Sequence, residues 1–156
     1  MKTIRYSISI DADVKYPQTK FEEEVAIYLS NPDGWGQLYD FVQVDQKPQV
    51  VIHLSSPAGI QAAGCDNPEL SCAQMGGMHM RLNVMRWLKG AAESKLSLED
   101  YRQYLVSHEM GHILGHDHVD CPGHNQPAPI MMQQTLGIGA CKPNKKLTKI
   151  DLVGHF

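Results

Sequence analysis

The chain has 156 residues, of which 42% are hydrophobic and 20% charged, with 14 Lys and Arg against 17 Asp and Glu. That is enough for one domain, 1–156, with its own hydrophobic core. The net charge of -3 and the lack of a basic stripe argue against a nucleic-acid partner, and no apolar run reaches the roughly 18 residues needed to span a membrane.

In chain order, Thr3 to Ile10 alternates polar and apolar residues and reads as a strand. The same stretch has no apolar signal core, so a cytosolic protein and an extracellular one whose leader lies outside this chain both remain open. Pro17 suits a helix start, where its missing N–H costs nothing. Phe21, Val25, Tyr28 and Leu29 then give that helix an apolar face, and Asn31-Pro32-Asp33-Gly34 ends it. Leu38 to Val44 and Val50 to Leu54 are strand candidates. The second is almost wholly apolar and suits the middle of a sheet.

A Gly-, Pro- and Cys-containing segment follows, from Ser55 to Gly77. Met78, Met80, Leu82 and Val84 alternate with His79, Arg81 and Asn83, which predicts a strand with one buried face. Ser97 is placed to cap a long helix from Leu98, with Asp100 at its third position. Tyr101, Leu105, His108 and His112 share one stripe of that helix, apolar at first and then histidine. Gly115 ends it, because glycine accepts left-handed geometry at a helix terminus. Val119 to Lys146 shows little regular structure, and Thr148 with Asp151 forms a weak capping box for a short final helix.

The four cysteines, Cys65, Cys72, Cys121 and Cys141, allow three pairings. Local pairing, Cys65 with Cys72 and Cys121 with Cys141, staples two loops, and the longer closure contributes about 3 kcal/mol in the chain-entropy model. Disulfides favour a secreted or extracellular protein.

Five of the eight histidines fall between His108 and His124, in the string His108-Glu109-Met110-Gly111-His112-Ile113-Leu114-Gly115-His116-Asp117-His118. Histidines four apart stack on one helix face, about 6 Å apart at Cβ, and can share one zinc at about 2.0–2.1 Å. Glu109 then lies beside the metal as a general base for a metal-bound water.

His116 competes with His118 as the third ligand. On a continuing helix, however, His108 and His116 stand about 12 Å apart, whereas a turn at Gly115 brings His118 back to close the site. Three nitrogen ligands leave a position for water, as in a catalytic zinc. One Zn2+ per chain is expected. Asp117 or Asp120 is a candidate to orient a ligand ring. The cysteines contain no C-x-x-C pair and are not expected to ligate.

At these residues the chain resembles the metzincin clan of zinc peptidases, whose signature is HExxHxxGxxH followed by a methionine turn. His108 to His118 match every fixed position, and Pro129-Ile130-Met131-Met132 resembles the turn, with Met131 as the floor residue and Met132 the alternative. The stretch from Cys121-Pro122-Gly123 to Gly137 is also similar to an uncharacterised family of small secreted or lipid-anchored actinobacterial zincin-like proteins. That likeness extends loosely to Tyr104-Leu105-Val106 and Asn83 to Leu88.

The resemblance implies an α+β minimal metzincin fold: a small mixed sheet, a backing helix, an active-site helix and a short C-terminal helix. It implies a metalloendopeptidase that takes a peptide or protein substrate extended along a sheet edge, either the Met78–Val84 strand or the segment before it. A monomer is expected. Two departures stand out. No tyrosine follows Met131 where some metzincins place a transition-state stabiliser, and no pro-segment with a zinc-blocking cysteine or aspartate is recognisable. Competing readings are a zinc-binding adhesion module without turnover and a zinc hydrolase of a non-peptide amide.

Overall fold

The computed structural model describes residues 1–153. Five strands, β1 (Lys2–Ile10), β2 (Tyr39–Gln43), β3 (Val50–Ser55), β4 (Cys72–Ala73) and β5 (His79–Asn83), form one sheet in the order β2-β1-β3-β5-β4. The first three pairings are parallel, while β4 runs antiparallel to β5, with Ala73 opposite Met80 and Cys72 opposite Arg81. The apolar β3 takes the centre, as its composition predicts. Of the two edge candidates, β5 is interior and the segment before it supplies the edge strand β4.

Helix α1 (Gln18–Ser30) follows Pro17 and ends at Asn31. Its buried Phe21, Val25, Tyr28 and Leu29 pack into one cluster with Ile52, Leu54, Met80, Leu82, Trp87 and Tyr101. Trp87 lies edge-on to Phe21 and Tyr28, with ring centroids 5.1 and 5.8 Å away, a favoured arrangement for aromatic quadrupoles.

Two short helices fall where no helix is expected. Helix α2 (Pro57–Ala62) starts at Ser56, whose side chain accepts from Gly59 N, and α3 (Val84–Lys89) starts at Asn83, whose side chain accepts from Met85 N. Each has a good cap but only six residues, too few for a periodic signal. The strand expected to run to Val84 therefore stops at Asn83, and Leu38 belongs to a 3-10 turn that precedes β2.

Helix α4 (Leu98–Ile113) is capped by Ser97 through Asp100 N at 3.2 Å. Every residue from Gln103 to Ile113 is buried, so the helix has no solvent face in its second half. Its polar groups are paired inward: Gln103 donates to Tyr28 O and Ser107 Oγ and accepts from Asn31, and Ser107 O accepts from Trp35 Nε1.

The expected C-terminal helix is absent among the described residues. Thr148 to Val153 makes a single turn, with Leu152 N donating to Thr148 O. The capping pair exists, since Thr148 N and Oγ1 both donate to Asp151 Oδ2. But Asp151 is fully buried and also accepts from Ile130 N at 2.8 Å and Met131 N at 3.0 Å. Its job is to join the chain's end to the loop beneath α4, and that geometry does not propagate a helix.

Asp151→Ala removes the acceptor of three backbone N–H groups and one hydroxyl. An unmade buried bond costs about 1–3 kcal/mol, so the variant is expected to lose about 3 kcal/mol and melt about 10 °C lower at this chain length. Asp151→Asn, which keeps one oxygen, should fall between. A melting point within a degree or two of the parent would contradict the clamp.

Candidate metal centre

The site is built at the end of α4. Gly115 has φ +97°, Gly115 N donates to His112 O and His116 N donates to Gly111 O, both at 2.9 Å. This pair of bonds is a Schellman termination, which needs a left-handed residue and so a glycine. The chain turns back there, and His118 arrives opposite the helix.

His108, His112 and His118 each offer a ring nitrogen within 4.8 Å of the other two. His112 Nε2 and His118 Nε2 are 3.0 Å apart, and the His108 ring lies 4.9 Å from His112 and 5.3 Å from His118. His108 Nδ1 donates to Ile130 O at 2.6 Å and His112 Nδ1 donates to His116 O at 2.7 Å. With both Nδ1 protons so engaged, each Nε2 keeps its lone pair, as a metal ligand requires. Burial lowers the His108 pKa to about 3 and also lowers that of His112, so both rings stay neutral. A three-nitrogen set of this kind fits zinc and leaves a fourth position open.

His116 takes no part in the triad. Its ring stacks on Trp35, with centroids 5.3 Å apart, and its carbonyl accepts from His112 Nδ1. Asp117 accepts from His118 N at 2.7 Å, a backbone bond that shapes the turn and does not orient a ring. Asp120 is exposed.

Glu109 is 3% exposed, and its Oε2 has no hydrogen-bond partner. Its Oε1 lies 4.0 Å from His108 Nε2. Burial alone raises its pKa to about 8. A buried orphan oxygen costs free energy, and here it sits at the wall of a cleft of about 280 Å³ lined by Ala73, Tyr104, His108, Glu109, His118 and Leu136.

Beneath the helix, Met131 is buried and Met132 half-buried. A Cβ on Gly111 would collide with Met131 Sδ, which accounts for glycine inside the histidine motif. Val119 N donates to Met131 O at 3.1 Å and so holds the returning strand of the turn against this floor. Disulfides join Cys65 to Cys72 and Cys121 to Cys141, with Cα–Cα distances of 6.3 and 5.9 Å. The first anchors β4 at the cleft and the second fastens the loop after His118.

Three residues around the site escape a reading of motifs alone. Tyr104, Trp35 and Asp151 act through backbone partners far away in sequence. Tyr104 carries a signal in its placement four residues before His108 on the same helix face, and Asp151 one in its capping pair with Thr148, which does not point to the loop at residue 130.

A family described as "Protein of unknown function (DUF3152)" matches residues 1–152. Among solved structures, archaemetzincin from Methanopyrus kandleri superposes with a TM-score of 0.54 at 16% identity, covering 95% of this chain and 91% of that one. Archaemetzincin from Archaeoglobus fulgidus, complexed with malonate, gives 0.52 at 15%, covering 95% and 98%. Myroilysin gives 0.45 at 17%, covering 75% of this chain and 49% of that one, so the chain spans about half of myroilysin's length. The archaemetzincin likeness shows a shared fold.

The orphan carboxylate sets a pH dependence for metal-free protein. The folded pKa of Glu109, about 8, exceeds its unfolded value. The glutamate therefore contributes full stability below the unfolded pKa and loses it as pH rises through about 8. Glu109→Gln does not titrate. In urea unfolding of metal-free protein, the variant should gain on the parent by on the order of 3 kcal/mol between pH 5 and pH 8. Parallel curves would mean that the carboxylate is not isolated.

Proposed function

We propose that this chain, which belongs to the DUF3152 family of proteins of unknown function, is a zinc-dependent endopeptidase of the metzincin type, formed as one catalytic domain. The observation that carries the reading is the unpartnered oxygen of buried Glu109 beside three converging imidazoles. Binding a metal does not require that glutamate, and leaving it buried is costly.

His108, His112 and His118 would hold one zinc through their Nε2 atoms. The bound ion supplies Lewis acidity, polarising a carbonyl and lowering the pKa of a water to near 7. Glu109 then has the general-base role: it takes a proton from the water and returns it to the leaving amine. Its tendency to hold a proton when buried suits the second half of that task. Met131 forms the apolar floor under the ligands.

The sheet supports an extended peptide as the substrate. β4 is an edge strand, and Cys72 and Ala73 line the cleft, so an extended peptide is expected to add to the sheet there. The names of the archaemetzincin neighbours support the clan assignment, and the histidine signature with its methionine turn resembles the same clan. No helix among the described residues is long and apolar enough to cross a membrane. The two disulfides support an extracellular setting, where the chain is proposed to act as a monomer.

Glu109→Ala is expected to keep its zinc and lose about 10²-fold or more in peptide cleavage, the scale of a general base. His118→Ala should lose zinc, whereas His116→Ala should keep it. Zinc stoichiometry and cleavage of a proteome-derived peptide library are measured together. Undiminished cleavage by Glu109→Ala would leave a zinc-binding module as the better reading. Intact mass of extracellularly produced protein, with and without reductant, should show two disulfides; four free thiols would remove the extracellular assignment.

A further inference from the structure

Tyr104 is a buried tyrosine on α4 whose ring packs 5.3 Å from that of His108. Its hydroxyl lies 2.9 Å from Met132 O, 3.0 Å from Gln134 N and 3.3 Å from His108 Nδ1, with the Thr135 side chain as a further polar neighbour. A phenol has one proton to give and two lone pairs to receive. Met132 O has no proton, so it takes the hydroxyl's. Gln134 N–H is a donor and fills one lone pair. The other is left to the Nδ1–H of His108, which Tyr104 shares with Ile130 O. Every proton in this set has one consistent direction.

We infer that Tyr104 is a positioning residue for the metal centre: its hydroxyl backs the Nδ1–H that His108 gives to Ile130 O, steadying the ring with Nε2 facing the cleft, and it sets residues 130–134 at the height that ring requires. The inference rests on the zinc reading above and deepens it. Tyr104 lines the cleft, yet it is not a substitute for the missing tyrosine after the methionine turn. Its only proton is committed to Met132 O, so it has none to offer an oxyanion. It therefore acts on the ligand and not on the substrate.

A neighbour provides the control. Tyr101 is equally buried, and its hydroxyl bonds Thr135 Oγ1 at 2.8 Å. It tethers the same loop but makes no polar contact with a histidine. If loop tethering is all that matters, Tyr101→Phe and Tyr104→Phe should behave alike.

The experiment compares both variants with the parent by zinc competition against a chelator and by the visible spectrum of cobalt-substituted protein. Tyr104→Phe is expected to weaken zinc binding about tenfold or more, the range for a lost partner of a metal-bound histidine. It should shift the cobalt bands and lower kcat with KM little changed. Tyr101→Phe should lose stability with parental zinc affinity and bands. Equal zinc affinity and identical cobalt spectra for the two variants would overturn the inference. If the parent takes up no zinc, the metal-centre reading and this inference fall together.

Nitrogen NMR of the His108 ring in metal-free parent protein tests the same point without relying on a variant that folds. The Nδ1–H tautomer is expected. The Nε2–H tautomer would reverse the direction of the Tyr104 bond and refute the role.

Discussion

The rest of the site is arranged around a buried carboxylate with one oxygen unpartnered, an arrangement that costs free energy. Glu109 lies in the interior stretch of α4, where its flanking residues are all buried. Desolvation favours its protonated form, and the rings of His108 and His112, whose pKa values burial lowers, supply no positive charge to offset the cost. His108 pays a related penalty: burial keeps it uncharged with a free lone pair on Nε2. The site is thus one-sided in the charge balance of its own side chains. It has lone pairs and an acid that needs a cation nearby to ionise, which is the donor chemistry that suits a divalent metal.

Holding those groups in place requires an environment that does not relax around them, and the fold supplies it from below. Residues 130–134 have no regular structure before the 3-10 turn at Gln134, yet their backbone groups are almost fully used. Ile130 O takes the His108 proton, Ile130 N and Met131 N go to Asp151, Met131 O takes Val119 N, and Tyr104 serves Met132 O and Gln134 N. Irregular backbone can be buried only when its polar groups are paired. Here side chains from α4 and the final turn do the pairing that a strand neighbour would otherwise do. Met131 can then press against Gly111, where an added Cβ would force its thioether to shift.

The parts legible in the sequence are those with local causes. Ser97, Gly115 and the four-residue histidine spacing each determine a backbone or face geometry within a few residues, and α4 with its reversal follows from them. The apolar run Val50 to Leu54 marks a strand buried on both sides, and β3 is central. The α+β class follows from these and from the face of α1. What could not be read has remote or very short causes. β4 has two residues, so its edge position depends on pairing with β5 and on Cys65. Helices α2 and α3 have six residues each, and their caps alone announce them. Asp151 shows how a correct local motif can mislead: the Thr148 pairing is real, but the carboxylate's other oxygen and its burial belong to the loop at residue 130. Its role was visible only once both segments were in one frame.

The cleft's two walls differ in how they are held, and that difference bears on turnover against mere binding. One wall, α4 with the 130–134 loop, is anchored by buried bonds at nearly every residue. The other, β4, makes only two register pairs with β5 and would be a weak edge alone. It is held instead by the Cys65–Cys72 disulfide and by Gly76 N, which donates to His112 O at 2.8 Å. That last bond ties the edge strand's loop to a carbonyl of the histidine helix itself. A module that only retained a metal would have no need of an edge strand fixed in register with the helix that bears its ligands. The proposed hydrolase would, because a peptide added to that edge would have to present its carbonyl at a set height above Glu109, and small errors in such placement are expensive in rate.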